Sequence, residues 1–539
     1  MVAVARISLA LGLALALALL PLEWALLLTL GSIVVTLTLL DPIWAVYVAV
    51  LSVPVQELIL LPGGLSVTQA ALLLLVASLA LHTLAFPQRP LRFGPLFGPL
   101  LCFLLTVALA ALLTPYSRSE ALRELLRWTT VVLIYLVALR ALSGAPWRAW
   151  GLVACLLLAP TASALVGLGQ FWWGLGPESF GVEGGRVRAY GTIGQPNSFA
   201  GYMNQAWPLA LGMGMALLAS CYQQRCKPTG VVHAVIPTTL EHAALSRTRK
   251  PIGAPCSAIC NLQPTIVNGM TPKTLLLFIG TSAATLLTTA ALLVSFSRGG
   301  WLGGLGGLTI LLLAAGYHLP TQMRLLARRG LIAGGGCVLL IALLGGGGLL
   351  PQALSQRAAT LVGSLRLFDA HNAVITPANF AVVERMAHLQ AAWNMLQRHP
   401  ILGVGPGNYS IAYEALPPPG ADPFSVRPWY DSRGHAHNYY LHISAEAGLL
   451  GLSAYLLLLG SIIVQAVRAV QMATGWFWQG VAIGGAGVVA AVATHNLFEH
   501  LHVLNMGLQL GSLLALLVYL QWSNEAGQGN EKQEVALIS

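Results

Sequence analysis

Arginine and histidine residues that could act on a phosphate compound stand where apolar runs end. Arg298 lies between two apolar runs, Arg385 lies in an amphipathic segment, and His437 comes just before another apolar run. An arginine guanidinium is permanently charged and offers phosphate oxygens a bidentate fork. An imidazole with a reference pKa of about 6.5 can accept a hydroxyl proton near neutral pH. These residue types therefore suit displacement of a phosphate leaving group by a hydroxyl group.

The apolar runs that carry these residues predict a membrane protein. Hydrophobic residues make up 56% of the 539 positions and charged residues only 9%, a composition that cannot cover a solvated surface. A helix needs about 20 mostly apolar residues to cross the hydrocarbon, and such runs recur from end to end. We therefore predict an all-α, polytopic integral membrane protein with about 12–14 transmembrane helices and one large external loop that contains short helices.

The spans divide the chain into four segments. Residues 1–197 hold the N-terminal helices and a first external loop, and residues 198–350 hold the central helices with a cytoplasmic insert at 221–273. Residues 351–439 form the large external loop, and residues 440–539 form the C-terminal helices with a cytoplasmic tail. The insert shows no strong periodicity, so we expect a poorly ordered loop there.

Basic residues in short loops set the orientation, because such loops stay on the cytoplasmic side. They fall in alternate loops, for example Arg89 with Arg92, Arg140 with Arg148, and Arg324 with Arg328 and Arg329. This alternation predicts that both termini are cytoplasmic. The segment 351–439, and with it every large feature that could do chemistry, is then on the outer side. The polar stretch 115–125 departs from the trend, and we expect it to lie along the interface.

The most informative segment of the outer loop is an amphipathic helix followed by a glycine-rich turn. Apolar residues recur at three- and four-residue steps from Glu384 to Leu396, and Pro400 ends the pattern. Gly403, Gly405 and Gly407 follow. They do not form a nucleotide phosphate loop, because no G-K-[ST] sequence comes after them.

Four segments, in this order, resemble the O-antigen ligase and O-antigen polymerase superfamily of bacterial membrane glycosyltransferases. They are the loop 186–202, the S-R-G motif at Arg298, the Arg385 helix followed by H-P-x-x-G-x-G-x-N, and the H-N-x-Y-L motif at His437. The resemblance covers roughly residues 186–499. In that family the arginine of the S-R-G motif, an arginine opening the outer helix and the histidine of the H-N motif are thought to form the site. They map onto Arg298, Arg385 and His437, whereas the insert 221–273 departs from the family pattern.

The resemblance implies a glycan transferase in the bacterial inner membrane, with its active site on the outer face. Such an enzyme moves a saccharide chain from a polyprenyl diphosphate carrier to a lipid or glycan acceptor hydroxyl. Diphosphate needs charge neutralisation more than protonation when it leaves, so we expect Arg298 and Arg385 to clamp it and His437 to act as the base. We expect inversion, no metal and no cofactor.

Four further residues are candidates for substrate binding, namely Arg188, Asn197, Asn438 and His495. Arg188 could bind phosphate, and His495 forms a polar cluster with Asn496 and Glu499 at the outer end of the penultimate span. Simpler interpretations compete with each function. An arginine at a membrane boundary is usually an anchor, a charge on an exposed helix is usually solvated, and His437 could be a helix cap. Arg427 and Arg433 suit ordinary loop solvation or glycan phosphates.

Other functional classes fit the sequence less well. The net charge of +10 is scattered between apolar runs, which argues against nucleic acid. A transporter of a small anion or solute usually places ionisable residues near the bilayer midplane, and the middles of the candidate spans lack them. A protein O-oligosaccharyltransferase stays open, because it would share the same donor. Four cysteines of the insert loosely resemble a zinc site but lack the tight C-x2-C spacing; they are Cys221, Cys226, Cys256 and Cys260.

Overall fold

A computed structural model describes most of the chain. The residues left out lie mainly in the insert 221–273 and in part of the segment 351–439. The described residues are 20–61, 64–86, 92–182, 185–225, 270–318, 369–376, 379–416, 419–420, 422–426 and 434–538, with single positions or pairs between 320 and 332. Two apolar runs of the sequence that predict spans, 7–20 and 330–350, fall almost wholly outside these residues, as does most of the insert 221–273. Arg427 and Arg433 also lie outside them.

The described chain is helical apart from one small ribbon. The helices are α1 (Leu22–Leu40), α2 (Ile43–Ser52), α3 (Val67–Ala85), α4 (Phe97–Leu112), α5 (Arg118–Leu142), α6 (Trp147–Trp173), α7 (Pro196–Asn204), α8 (Trp207–Arg225), α9 (Pro272–Val294), α10 (Arg298–His318), α11 (Phe380–Arg398), α12 (Tyr409–Glu414), α13 (Tyr439–Met472), α14 (Gly475–His495) and α15 (Gly507–Ile538). Two strands, β1 (Gly181–Val182) and β2 (Arg186–Val187), pair antiparallel between α6 and α7. Short 3-10 turns occupy Val53–Val55, Glu178–Phe180 and Ala370–Asn372.

Seven of the described helices are long and apolar enough to cross a membrane, namely α3, α5, α6, α9, α10, α13 and α14. Four shorter apolar helices accompany them, within 28–40, 43–55, 97–112 and 507–523. A helix satisfies its backbone polar groups internally, which hydrocarbon requires. The predicted all-α polytopic membrane protein is therefore confirmed.

Small residues let α14 pack at the centre of the bundle, against α8 and α10. A Cβ atom at Gly212 of α8 would lie 2.5 Å from the backbone nitrogen of Gly484 in α14. One at Gly307 of α10 would lie 2.7 Å from the Cβ atom of Ala491. Glycine therefore permits backbone approaches that no other residue would allow. This packing fixes the end of α14, and with it the polar residues that follow His495.

Two predicted boundaries differ from the structure. The polar stretch expected along the interface instead opens α5, because Ser117 caps the helix and Glu120 and Glu124 pair with arginines one turn later. The apolar run 198–219, which the sequence pattern predicts as one span, is divided between two helices, α7 and α8, separated at positions 205 and 206. The predicted helix before Pro400 is confirmed as α11.

Candidate functional site

A buried carboxylate, Glu499, connects segments that are far apart in the sequence. It lies in the loop after α14, with 3% of its side chain exposed. Its Oε1 atom accepts a hydrogen bond from Nε2 of His435 and lies 3.5 Å from Nδ1 of His437. Its Oε2 atom accepts a hydrogen bond of 2.7 Å from Nδ2 of Asn197. One side chain thus joins α7, the loop before α13 and the loop after α14.

Arg188 extends this network to the S-R-G motif. Its Nη2 donates to Oδ1 of Asn197 at 3.1 Å, and its Nε donates to the backbone oxygen of Ser295 at 2.9 Å. Burial lowers the pKa of Arg188, the Glu499 carboxylate raises it, and the charge of Arg298 lowers it further. Arg188 therefore shares its electrostatic environment with both Arg298 and Glu499.

His437 is held in a backbone conformation that few residues adopt. Its φ is 50°, in the left-handed region, and Phe296 beside the S-R-G motif has a φ of 52°. Such values cost free energy in residues other than glycine and concentrate at functional sites. The two strained positions lie in two of the segments that carry predicted site residues.

The His437 ring is partly exposed but its Nδ1 atom is buried. The side chain is 19% exposed, and Nδ1 has no hydrogen-bond partner among the residues that the structure describes. Burial lowers the pKa of His437, the Glu499 carboxylate opposes that shift, and His435 and Arg385 add to it. The imidazole is therefore poised to stay neutral, as a base must be before it accepts a proton.

The helix-capping role belongs to Asn438 and not to His437. The Oδ1 atom of Asn438 accepts a hydrogen bond from the backbone nitrogen of Leu441 at 3.0 Å, which is an N-cap contact. The prediction that His437 caps α13 is therefore wrong, because the helix begins two residues later. A substrate contact for Asn438 stays a prediction.

Helix α11 brings Arg385 and His388 to the same place. Arg385 is half-buried, and its charge acts on His437. His388, less than one turn along, is buried, and its ring centroid lies 5.8 Å from that of His437. Burial lowers the pKa of His388 to about 4, and the charges of His437 and His435 act in the same direction. Helix α11 thus places one cation, Arg385, and one neutral imidazole, His388, near His437.

Arg298 is exposed and is the first residue of α10. The next residue, Gly299, packs on α14, since a Cβ atom there would lie 3.1 Å from Cδ2 of His495. His495 is buried, and its Nδ1 lies 3.4 Å from Nδ2 of Asn204. Its Nε2 atom is buried without a hydrogen-bond partner in the described part of the chain. The contact between α10 and α14 therefore places Arg298 beside the polar cluster.

The glycine-rich turn is occupied by the protein's own carboxylate. Oε2 of Glu446 accepts a hydrogen bond of 2.9 Å from the nitrogen of Gly407, and Oε1 accepts one of 3.0 Å from the nitrogen of Tyr409. The nitrogen of Gly405 donates to the backbone oxygen of Glu446 at 2.8 Å. Amides that could have bound phosphate instead fix the end of α11 to α13. The turn therefore positions the site.

The predicted residues lie around one cluster, and three further residues join it. The predicted ones are Arg188, Asn197, Arg298, Arg385, His437, Asn438 and His495. Sequence reasoning placed Glu499 only near His495 and left His435 and His388 without roles. A signal for Glu499 existed, because an acidic side chain between two apolar runs at a membrane boundary needs a partner.

Three donors of this cluster could hold a metal ion. The ligand atoms of His435, His437 and Glu499 all lie within 4.8 Å of one another. Imidazole and carboxylate are ligands that suit zinc. The charges of Arg188 and Arg385 act on the same groups, however, and this positive charge opposes the binding of a metal cation. We assign no ion, and the metal-free site stays a prediction. Of the insert cysteines only Cys221 is described, so the zinc alternative there lies outside the described residues.

Comparison with protein families matches residues 283–456 to the family described as O-antigen ligase. The match covers Arg298, Arg385 and His437 and confirms the resemblance over that segment. Arg188, His495 and Glu499 lie outside the matched range. Among curated proteins, none matches the chain.

Proposed function

We propose that this membrane protein, which carries an O-antigen ligase domain, transfers a saccharide chain from a polyprenyl diphosphate carrier to an acceptor hydroxyl. One observation carries the proposal. Arg188 is affected by the charges of Arg298 and Glu499, Arg385 acts on His437, and His437 lies 3.5 Å from Glu499, so residues of separate segments share one polar cluster. Three permanent cations beside a neutral imidazole suit a substrate whose leaving group is a diphosphate.

The residues divide the reaction between them. Arg298 and Arg385 hold the diphosphate and offset the charge that grows on its oxygen as the bond to the sugar carbon breaks. His437 takes the proton of the acceptor hydroxyl as its oxygen bonds to that carbon. The products are the transferred glycan, free polyprenyl diphosphate and an imidazolium that later releases its proton. A single displacement of this kind inverts the sugar carbon, and it needs no metal because the arginines supply the charge.

The proposed site faces the outside of the bacterial inner membrane, and both termini are cytoplasmic. Basic residues in alternate short loops support this orientation. A cysteine introduced near Gly420 should react with an impermeant thiol reagent from outside, and one near Gly230 should not. The reverse pattern would place the site on the face where nucleotide sugars are available and would contradict the proposal.

A reconstituted reaction tests the function and selects the acceptor. Purified protein is incubated with a polyprenyl-linked glycan and, in turn, a lipid-A core, a second lipid-linked glycan and a Ser/Thr-containing protein. Transfer to the first indicates a ligase, to the second a polymerase, and to the third a protein glycosyltransferase. If the donor stays intact with all three, and a deletion strain shows altered ion uptake with a normal glycan profile, the protein is instead a transporter.

A further inference from the structure

The His437 ring packs between other imidazoles and lies beside a carboxylate. Its backbone is in the left-handed region, and its ring packs on His435 with centroids 4.4 Å apart. Oε1 of Glu499 lies 3.5 Å from its buried Nδ1 atom, which has no hydrogen-bond partner among the described residues. Ring packing does not choose between the two tautomers of an imidazole, whereas a carboxylate beside Nδ1 favours the tautomer that carries its proton there.

We infer that Glu499 is a positioning residue for the transfer reaction: its Oε1 atom holds the proton of His437 on Nδ1 and leaves Nε2 to receive the proton of the acceptor hydroxyl. The inference rests on the proposed function. Because Nδ1 is buried while 19% of the side chain is exposed, the exposed part of the ring excludes Nδ1. Nε2 is then the ring nitrogen that a substrate can approach.

Glu499 is itself fixed by partners on several elements. Asn197 of α7 binds its Oε2 atom, Arg188 binds Asn197, and the backbone of Ser295 binds Arg188. Burial raises the pKa of Glu499, but the charges and hydrogen bonds of His435 and His437 outweigh it and hold the pKa well below its usual range. The carboxylate therefore stays charged and stationary while the reaction proceeds.

The charge of Glu499 also serves the reaction step. When Nε2 of His437 takes the hydroxyl proton, the ring becomes an imidazolium on which the charge of Arg385 already acts. An anion 3.5 Å away offsets that charge, and the separation can shorten to a hydrogen bond as the charge forms. His435 hydrogen-bonds the same oxygen and helps to fix the carboxylate. The charged or titratable groups facing His437 are Glu499, His435, Arg385 and His388.

Glu499→Gln tests the inference by kinetics, because it keeps the shape and removes the charge. We expect turnover to fall roughly 10²-fold, with donor KM within about twofold of wild type, since the donor clamp is untouched. The acid limb of the pH–rate profile should move to lower pH, because the carboxylate raises the pKa of His437 and its loss lowers it. Glu499→Asp should recover part of the turnover and part of the pH shift.

Chemical modification tests the same contact without any reaction. Diethyl pyrocarbonate modifies neutral imidazole, and mass spectrometry can locate the adduct on His437 as pH is varied. The midpoint for His437 should be lower in Glu499→Gln than in wild type. The control is Asp369→Asn, which removes an exposed carboxylate that pairs with His371 and should leave the His437 midpoint unchanged.

The outcomes separate the inference from the proposed function. If the His437 midpoint shifts in Glu499→Gln but wild-type protein transfers no glycan, the carboxylate–imidazole contact is supported and the proposed reaction is rejected. Wild-type turnover and an unshifted midpoint in folded Glu499→Gln would make Glu499 a packing residue and overturn the inference. Loss of wild-type activity in chelator that zinc restores would also overturn it, since Glu499 would then be a ligand.

Discussion

Two buried carboxylates of the same region, Glu446 and Glu499, are bound in different ways. Glu446 accepts hydrogen bonds from the backbone amides of Gly407 and Tyr409, and the surrounding turn uses glycine wherever the backbone is left-handed. Glu499 is bound by side chains, beside a strained histidine and a buried nitrogen without a hydrogen-bond partner in the described residues. The first carboxylate is fixed by backbone donors, although Nδ1 of the neighbouring His442 is also buried without a partner among the described residues. The second is held by side chains from distant segments and adds backbone strain at His437, a combination typical of functional sites.

Removing the proposed base gives the largest expected loss of turnover. His437→Asn suits this test, because asparagine tolerates a left-handed backbone and cannot act as a base. Turnover should fall by roughly 10²–10⁴-fold while donor affinity stays near wild type. His371→Asn is the control, since that histidine is exposed and pairs with Asp369. His435 is unsuitable as a control because it hydrogen-bonds Glu499. Near-normal turnover of folded His437→Asn would exclude the base.

Exchange of the arginine clamp should have a smaller effect on turnover and a larger one on binding. Arg298→Lys and Arg385→Lys keep the charge and lose the bidentate fork. A charged hydrogen bond contributes about 1.5–3 kcal/mol, so kcat/KM for the donor should fall roughly 10–100-fold, with KM raised. Arg123→Lys is the control, because Arg123 is 70% exposed and pairs only with Glu120 one turn away. A normal donor KM in both clamp variants would contradict the clamp.

A change where α13 packs on the glycine-rich turn should lower the stability of the protein and leave the turnover of folded protein near wild type. A Cβ atom at Gly448 would lie 2.1 Å from the carbonyl oxygen of Ile401, and the φ of Gly448 is 65°. Gly448→Ala should therefore lower the free energy of unfolding by about 3 kcal/mol or more, seen as a lower Tm in detergent. Gly460→Ala is the matched control on the same helix, because its Cβ atom meets nothing within 4 Å. A stable Gly448→Ala protein with lost turnover would place the turn in the chemistry instead.

Chelation should have the smallest effect of all. If arginines neutralise the diphosphate, EDTA should leave the transfer rate within about twofold of the untreated enzyme. Dialysed protein assayed with and without added Zn²⁺, Mn²⁺ or Mg²⁺ provides the measurement. A rate that collapses in EDTA and returns with one cation would turn the cluster of His435, His437 and Glu499 into a metal centre.

The sequence predicts elements better than it predicts contacts. The period of α11 and its end before Pro400 depend on neighbouring residues, so both can be found from the pattern. The start of α5 was missed because a charged segment looks unlike a span, although its cap and ion pairs extend the helix. Glu499 lies 64 positions from His435 and 302 from Asn197. No local pattern relates such positions, and only the packing of α14 brings them together.

Helix α13 is interrupted at Gly448, and residues 400–405 supply hydrogen-bond partners for the backbone groups beside the interruption. The backbone nitrogens of Leu449 and Leu450 donate to the carbonyl oxygens of Pro400 and Ile401. In the other direction, the backbone nitrogens of Val404 and Gly405 donate to the carbonyl oxygens of Ala445 and Glu446, which precede Gly448 in α13. In hydrocarbon each of these groups would cost several kcal/mol if left unpaired. Residues 400–409 and 439–450 therefore form one hydrogen-bonded unit. A chimera that exchanges the outer loop between relatives should fail unless both stretches come from the same parent.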